Sequence, residues 1–485
     1  MSTTYPLAGA DRLSGPAWGA LLVLCGAIFL EAVDITMLNV ALPAIRADLG
    51  LSTAMLSGAV SAYVLGYGGF MLLGGRVADL FGRRRVFLIA LGVFVVFSVL
   101  GGFAGDGWTL LIARFVKGVA AAFMTPAGLS LITTGFPEGP QRNKALLVYA
   151  GTAAGGYSLG LVVGGLLTTL DWRWVFFGPA VLAGLILVAG LALLPDSGRR
   201  DRARGESDVA GAVVVTTAML LLAYGVVRLE DPATGWVWTL GALLAGLALL
   251  GAFVVIERRA AAPLVRLGIL RSGPLVRANL AAVLFVGSFF GFFFLITLYL
   301  QEVRGWSTLQ TALALLVAGI DAILAPTLTP RLVSRFGNVR VIFGGILLGG
   351  VGYALFLPVG LDWAYLAMFP SLVLLGLAFA LTYGPLTIAA TDGVSESEQG
   401  LASGLLNTSF QFGAALGLSS AAAVSVAALA PVLDPLLEPA LAAEAELDAL
   451  RAGLIVPVVG VLLAALVTAF GLRRRVERKD ESAWI

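Results

Sequence analysis

Histidine is absent from this chain of 485 residues, and cysteine occurs once, at Cys25. Without histidine, no side chain has an unperturbed pKa near neutrality, so any proton traffic falls to carboxylates. A lone cysteine forms no disulfide within the chain. Lysine is nearly missing as well: Lys117, Lys144 and Lys479 precede Gly118, Ala145 and Asp480. The Lys-Ser/Thr step of a phosphate-binding loop is therefore lacking, which excludes ATP hydrolysis by that route. No nucleophile–base or metal constellation is legible, so the chain is expected to be no enzyme and to need no metal or cofactor. Charge is also scarce, at 12% of residues against about 25% in soluble domains. A net charge of +2 gives no reason to expect a nucleic-acid partner.

Apolar residues fill that space: 59% of the chain is hydrophobic and the mean hydropathy is +0.96. This is the composition of an all-α polytopic membrane protein. Crossing a hydrocarbon core of about 30 Å takes about 20 apolar residues. Fourteen runs meet that length, at 17–42, 55–74, 86–104, 109–132, 145–170, 174–195, 209–228, 237–256, 275–300, 308–329, 340–359, 364–390, 401–428 and 452–472. The first run is too long for a cleavable leader and carries Glu31 and Asp34. With the amino terminus inside, inner segments hold 24 of the 31 lysines and arginines and outer segments five. The positive-inside rule then places both termini in the cytoplasm.

The run after span 2, Gly75 to Arg85, is echoed after span 10 by Pro330 to Arg340. Laying Gly82 on Gly337 matches Asp79 with Ser334 and Arg85 with Arg340. The chain is thus expected to contain two copies of a six-span unit, residues 1–195 and 275–485, separated by residues 196–274 with two further spans. Parallel repeats of this kind are a transporter architecture with substrate near the midplane.

The chain resembles the major facilitator superfamily, in particular the fourteen-span drug:proton antiporters of the EmrB/QacA type. The loop Gly75, Asp79, Gly82, Arg83, Arg85 is similar to the superfamily's loop signature. Span 1 resembles the antiporter pattern through Asp34, Thr36, Asn39, Val40, Ala41, Leu42 and Pro43. Span 4 does so through Leu110, Arg114, Gly118, Ala120, Ala121 and Pro126. Trp172-Arg173-Trp174, Tyr299-Leu300-Gln301 and the run from Gly400 to Asn407 are typical of the group. Three departures touch the site. Lys117 replaces a glutamine, Leu161 replaces a proline that the resemblance ties to export, and Phe410 stands where an arginine is frequent.

The resemblance implies a major facilitator fold and proton-coupled export of drug-like or natural-product small molecules by alternating access. Import of a small organic solute is the alternative. It also implies a bacterial inner membrane as location, with small molecule, protons and lipid as partners and a monomeric state. The loop from Gly75 to Arg85 would form an inner gate.

Ionisable residues at lipid depth are functional candidates, because an unpaired charge there costs several kcal/mol. At about 1.5 Å per residue, Asp34 and Arg114 lie ~5 and ~7 Å below the outer boundary, and Glu31 and Lys117 ~9 and ~12 Å. Depth therefore pairs Asp34 with Arg114 and Glu31 with Lys117. A carboxylate that exchanges arginine for water changes its proton affinity, so Asp34, Glu31 and Arg114 are the expected proton-coupling set. Substrate contacts are expected from Glu31, Asp34, Lys117, Tyr157, Gln301, Asp321, Asn407 and Gln411. Phe289 and Phe293 would add aromatic wall, while most of the other span-9 phenylalanines would meet lipid. Gly155, Gly156, Gly160, Gly164 and Gly165 offer either a sliding seam between halves or static packing. The acidic stretch from Pro431 to Arg451 reads as an outer hairpin or helix.

Overall fold

The computed structural model describes residues 15–136, 140–195, 209–227, 236–259, 267–392, 394, 399–429 and 439–481. Sixteen α-helices and no strand occur among the described residues. The first eight are α1 (Gly15–Leu49), α2 (Thr53–Phe81), α3 (Arg83–Gly102), α4 (Gly107–Gly135), α5 (Pro140–Leu170), α6 (Trp174–Leu193), α7 (Val209–Val227) and α8 (Trp236–Arg259). Then come α9 (Gly273–Leu298), α10 (Thr308–Leu315), α11 (Asp321–Thr327), α12 (Thr329–Phe336), α13 (Asn338–Phe356), α14 (Tyr365–Thr391), α15 (Gln399–Leu429) and α16 (Pro439–Glu481). Twelve helices among the described residues are long and apolar enough to cross a membrane. Two shorter apolar segments, Met55–Met71 and Val213–Leu222, lie within α2 and α7.

The chain divides into two compact units, one of Met1–Leu220 with Ala248–Leu264 and one of Leu221–Leu247 with Val265–Ile485. In the first, α1 packs on α5, α2 on α4, and α3 on α4 and α6. In the second, α9 packs on α15, α11 on α14, and α13 on α14 and α16. The order of packing partners is the same in both, as an internal duplication requires.

Backbone geometry repeats too. The positive-φ residues among those described are Gly50, Gly82, Gly305 and Gly337. The interval from Gly50 to Gly82 equals that from Gly305 to Gly337. Gly82 (φ 96°) joins α2 to α3, and Gly337 (φ 83°) joins α12 to α13. Each donates its N–H to the carbonyl four residues back, Ala78 at 3.1 Å and Val333 at 2.9 Å. A side chain at such φ meets its own backbone, so glycine is required at these turns. Two residues after the first glycine of each pair stands a capping serine. Ser52 accepts from Met55 N–H and Ser307 from Gln310 N–H, both at 3.2 Å, which satisfies donors that a helix start leaves unpaired.

One expectation changes and two open alternatives narrow. The expected single span over 308–329 is broken into α10, a 3₁₀ turn at Leu316–Ile320, and α11. Gly376 of α14 leaves room for the carbonyl of Ala318 there, so the irregular turn is packed against a neighbouring helix. The glycine stripe of α5 lies inside the first unit, where Gly156, Gly160 and Gly164 face Phe29, Val33 and Met37 of α1. It is a packing seam of that unit. Residues 439–451 form the first turns of α16, while 431–438 lie outside the described residues.

Close helix approach also sets α2 against α4. A Cβ on Gly118 would strike the Tyr63 carbonyl, and one on Gly66 the Phe115 carbonyl. Small residues permit such contact where lipid supplies no hydrophobic drive between helices. Gly118→Val is therefore expected to cost roughly 1–3 kcal/mol by overpacking, seen as lower thermal stability of the purified protein. Wild-type stability would contradict this packing.

Candidate functional site

Spacing of three puts Glu31 and Asp34 on one face of α1, and Arg114 and Lys117 on one face of α4. The structure keeps the Asp34–Arg114 pair that depth suggests and moves Lys117 from Glu31 to Asp34. Arg114 Nη1 donates to Asp34 Oδ2 at 2.6 Å, and Lys117 Nζ donates to Asp34 Oδ1. One carboxylate thus holds two cations, and none of the three residues exceeds 1% exposure. The second cation is the reason Glu31 and Lys117 do not pair: a depth estimate good to one helical turn does not resolve which carboxylate a long side chain reaches.

The surroundings are built for the cations. The Arg114 guanidinium lies 4.4 Å from the Tyr63 ring centroid, and its Nε donates to the Ala59 carbonyl at 3.4 Å. Both acceptors belong to α2, which the glycine contacts bring close. Lys117 Nζ stands 4.7 Å from the Phe94 ring and 5.0 Å from the Phe176 ring, on α3 and α6. Cation–π attraction of ~0.5–2 kcal/mol per contact offsets part of the desolvation. Lys117, expected as a substrate contact, is instead enclosed among α1, α3, α4 and α6.

Glu31 is 2% exposed. Its Oε2 is 2.9 Å from Tyr67 Oη and 2.6 Å from Thr125 Oγ1, and those hydroxyls are 2.7 Å apart. Thr125 also contacts the Ala121 carbonyl at 3.0 Å. Tyr67 and Thr125 escaped the sequence reading. Threonine in an apolar helix carries no signal of its own, and Tyr67 had no readable orientation.

The remaining candidates lie on other elements. Tyr157 is half-buried on α5. Gln301 lies in a π-helical segment, Tyr299–Val303, and its Oε1 faces Thr308 Oγ1 at 3.5 Å. Asp321 is the half-buried first residue of α11, directly after the 3₁₀ turn. Both sit at helix irregularities, which recur at functional positions. Asn407 and Gln411 are half-buried on α15. The expected loop from Gly75 to Arg85 is helical except at Gly82, the α2–α3 junction; there Arg83 Nη1 donates to the Ser130 carbonyl of α4 at 3.4 Å, Arg85 is exposed and Gly75 is half-buried. The Asp79 side chain lies outside the described residues.

The phenylalanines of α9 do not mostly meet lipid. Phe285, Phe292, Phe293 and Phe294 are buried and Phe289 and Phe290 half-buried, because α9 is packed by α14, α15 and α16. Phe293 and Phe289 continue a series of rings through Phe379 and Tyr383 of α14 to Phe410 of α15, with successive centroids 4.5, 4.6, 5.0 and 4.3 Å apart. Phe410 thus replaces a frequent arginine with the end of an aromatic stack. Phe379 and Tyr383, at spacing four on α14, were missed; their pairing depends on a neighbour far away in sequence. Laying Gly50 on Gly305 places Phe289 at the position of Asp34, so the two repeats differ in chemistry at one site.

Fold and cluster together define a multi-pass helical membrane transporter with ionisable groups buried within its bundle. The Major Facilitator Superfamily profile matches residues 24–418, and the chain belongs to that family. It is 36% identical to the puromycin resistance protein pur8 of Streptomyces alboniger, over 96% of this chain and 93% of that protein. It is 35% identical to the cephamycin export protein CmcT of Amycolatopsis lactamdurans, over 85% of each. A bacterial homologue of the human lysosomal transporter Spinster, inward-facing and unoccupied, shares the fold with a TM-score of 0.67 and 17% identity, covering 95% of this chain and 98% of that one.

Removing one member of a buried ion cluster leaves uncompensated charge, whereas apolar replacement of the whole set is near neutral. Asp34→Leu is expected to cost about 3–5 kcal/mol. The triple variant Asp34→Leu, Arg114→Leu, Lys117→Leu should recover most of that loss in thermal unfolding of the purified protein. A single variant as stable as wild type would refute the shared-carboxylate arrangement.

Proposed function

We propose that this chain is a proton-driven exporter of drug-like or natural-product small molecules, working by alternating access in a bacterial cytoplasmic membrane. The observation that carries the reading is the buried α1–α4 cluster. A carboxylate with two cations and a second carboxylate one turn away have no structural use that apolar packing would not serve at lower desolvation cost. They supply what a histidine-free chain needs in order to take up and release a proton. The relatives named for puromycin resistance and cephamycin export support an exported natural product as substrate.

The fourteen-span reading counts α2 and α7 as spans. At about 1.5 Å per residue, the 29 residues of α2 reach well past a core of about 30 Å, and the 19 of α7 nearly match it. Both termini are then cytoplasmic, in keeping with the arginine bias, and the working unit is a monomer. The series from Phe293 to Phe410 is a stacking surface for flat apolar substrates, and Asp321, Gln301, Asn407 and Gln411 supply polar contacts. Import is the competing direction, favoured by Leu161 at the proline position.

Everted membrane vesicles decide between these. With the lumen acidified, vesicles containing the transporter are expected to accumulate radiolabelled puromycin or another member of a drug panel, and to lose it when the gradient is collapsed. Gradient-driven loss from preloaded everted vesicles would indicate import, and no gradient-dependent movement of any compound would reject proton coupling.

A further inference from the structure

The oxygens around Glu31 carry a proton count. Glu31 Oε2, Tyr67 Oη and Thr125 Oγ1 form a triangle with sides of 2.9, 2.6 and 2.7 Å, each side within O–H···O hydrogen-bond range. The two hydroxyls own one proton apiece. If the carboxylate is ionised, the two hydroxyl protons fill at most two of the three sides whichever way they turn, and fewer when Thr125 donates instead to the Ala121 carbonyl at 3.0 Å. A third proton on the carboxyl closes the ring: Glu31 donates to Thr125, Thr125 to Tyr67 and Tyr67 back to Glu31. Every oxygen then donates once and accepts once.

Asp34 has no such vacancy. Both its oxygens are engaged by Arg114 and Lys117, and a proton on it would strand two buried cations. Resting on the exporter reading above, we propose that Glu31 carries the exchanged proton, while Asp34 serves as the fixed counter-ion of Arg114 and Lys117. In the coupling step the Glu31 O–H bond breaks, the proton passes to water on one side of the membrane, and it is regained from the other side. With Glu31 protonated, Asp34, Arg114 and Lys117 leave one positive charge unmatched. Release of the proton makes the four-residue set neutral, so Lys117 matches the charge that Glu31 acquires. The charged and titratable groups that interact with this carboxyl are Asp34 on its own helix, Tyr63 and Tyr67 on α2 and Tyr149 on α5, while Arg114 and Lys117 of α4 are engaged by Asp34.

Infrared difference spectroscopy on the purified transporter in lipid vesicles tests this without a substrate. At neutral pH the wild type is expected to show the carbonyl band of a buried carboxylic acid, lost in Glu31→Gln and retained in Asp321→Asn. Tyr67→Phe should shift that band without removing it, because the ring loses one donor; this arm stands even if Glu31→Gln does not fold. No such band in the wild type, its persistence in Glu31→Gln, or an unmoved band in Tyr67→Phe would each overturn the assignment. Because the spectra read protonation and the everted vesicles read transport, failure of one is distinguishable from failure of the other.

Discussion

One carboxylate shared by two cations in a water-poor helical bundle is the constraint on which the first unit depends. At low effective dielectric such charges interact far more strongly than in water, and their desolvation penalty is also large. The arrangement therefore persists only because the surroundings are specific. Tyr63 lies against the guanidinium, Phe94 and Phe176 against the ammonium, and the Ala59 carbonyl takes one further donor. Four helices are committed to one aspartate.

Geometry this tight needs backbones that nearly touch. Gly66 and Gly118 bring α2 to α4, while Gly156 and Gly160 bring α5 to α1. The same device serves the second unit, where Gly287 of α9 meets Gly413 and Gly417 of α15. The duplication thus preserved the packing and the positive-φ turns while the chemistry diverged. The repeat that holds Asp34 is ionic, and its counterpart at Phe289 is aromatic. One unit thus buries an ion cluster, and the other aligns a series of aromatic rings.

Much of the fold was legible because apolar runs long enough to cross a membrane obey a strong physical rule, and the Gly82–Gly337 match exposed the repeat. The second match, Gly50 with Gly305, was equally visible but is short and unremarkable without the φ values. The ion cluster was found in the right two helices, since charge at lipid depth has few innocent explanations. The Asp34–Arg114 pair was legible too, but the partner of Lys117 was not, because helical rise fixes depth and leaves azimuth and side-chain reach undetermined. Tyr67, Thr125, Phe379 and Tyr383 are ordinary residues made significant by neighbours on other helices, which no local pattern encodes. The broken helix around Asp321 was hidden for the same reason, as its 3₁₀ turn is shaped by contact with Gly376.

The chain's poverty in lysine offers the most direct measurement. With only Lys117, Lys144 and Lys479 present, solid-state NMR on protein carrying ¹⁵N-lysine and ¹³C-carboxyl aspartate reads each ammonium separately. One lysine Nζ is expected in direct dipolar contact with an aspartate carboxyl carbon, surviving Glu31→Gln and abolished by Asp34→Asn. Three lysines that all behave as hydrated ammonium groups, with no aspartate contact, would contradict it.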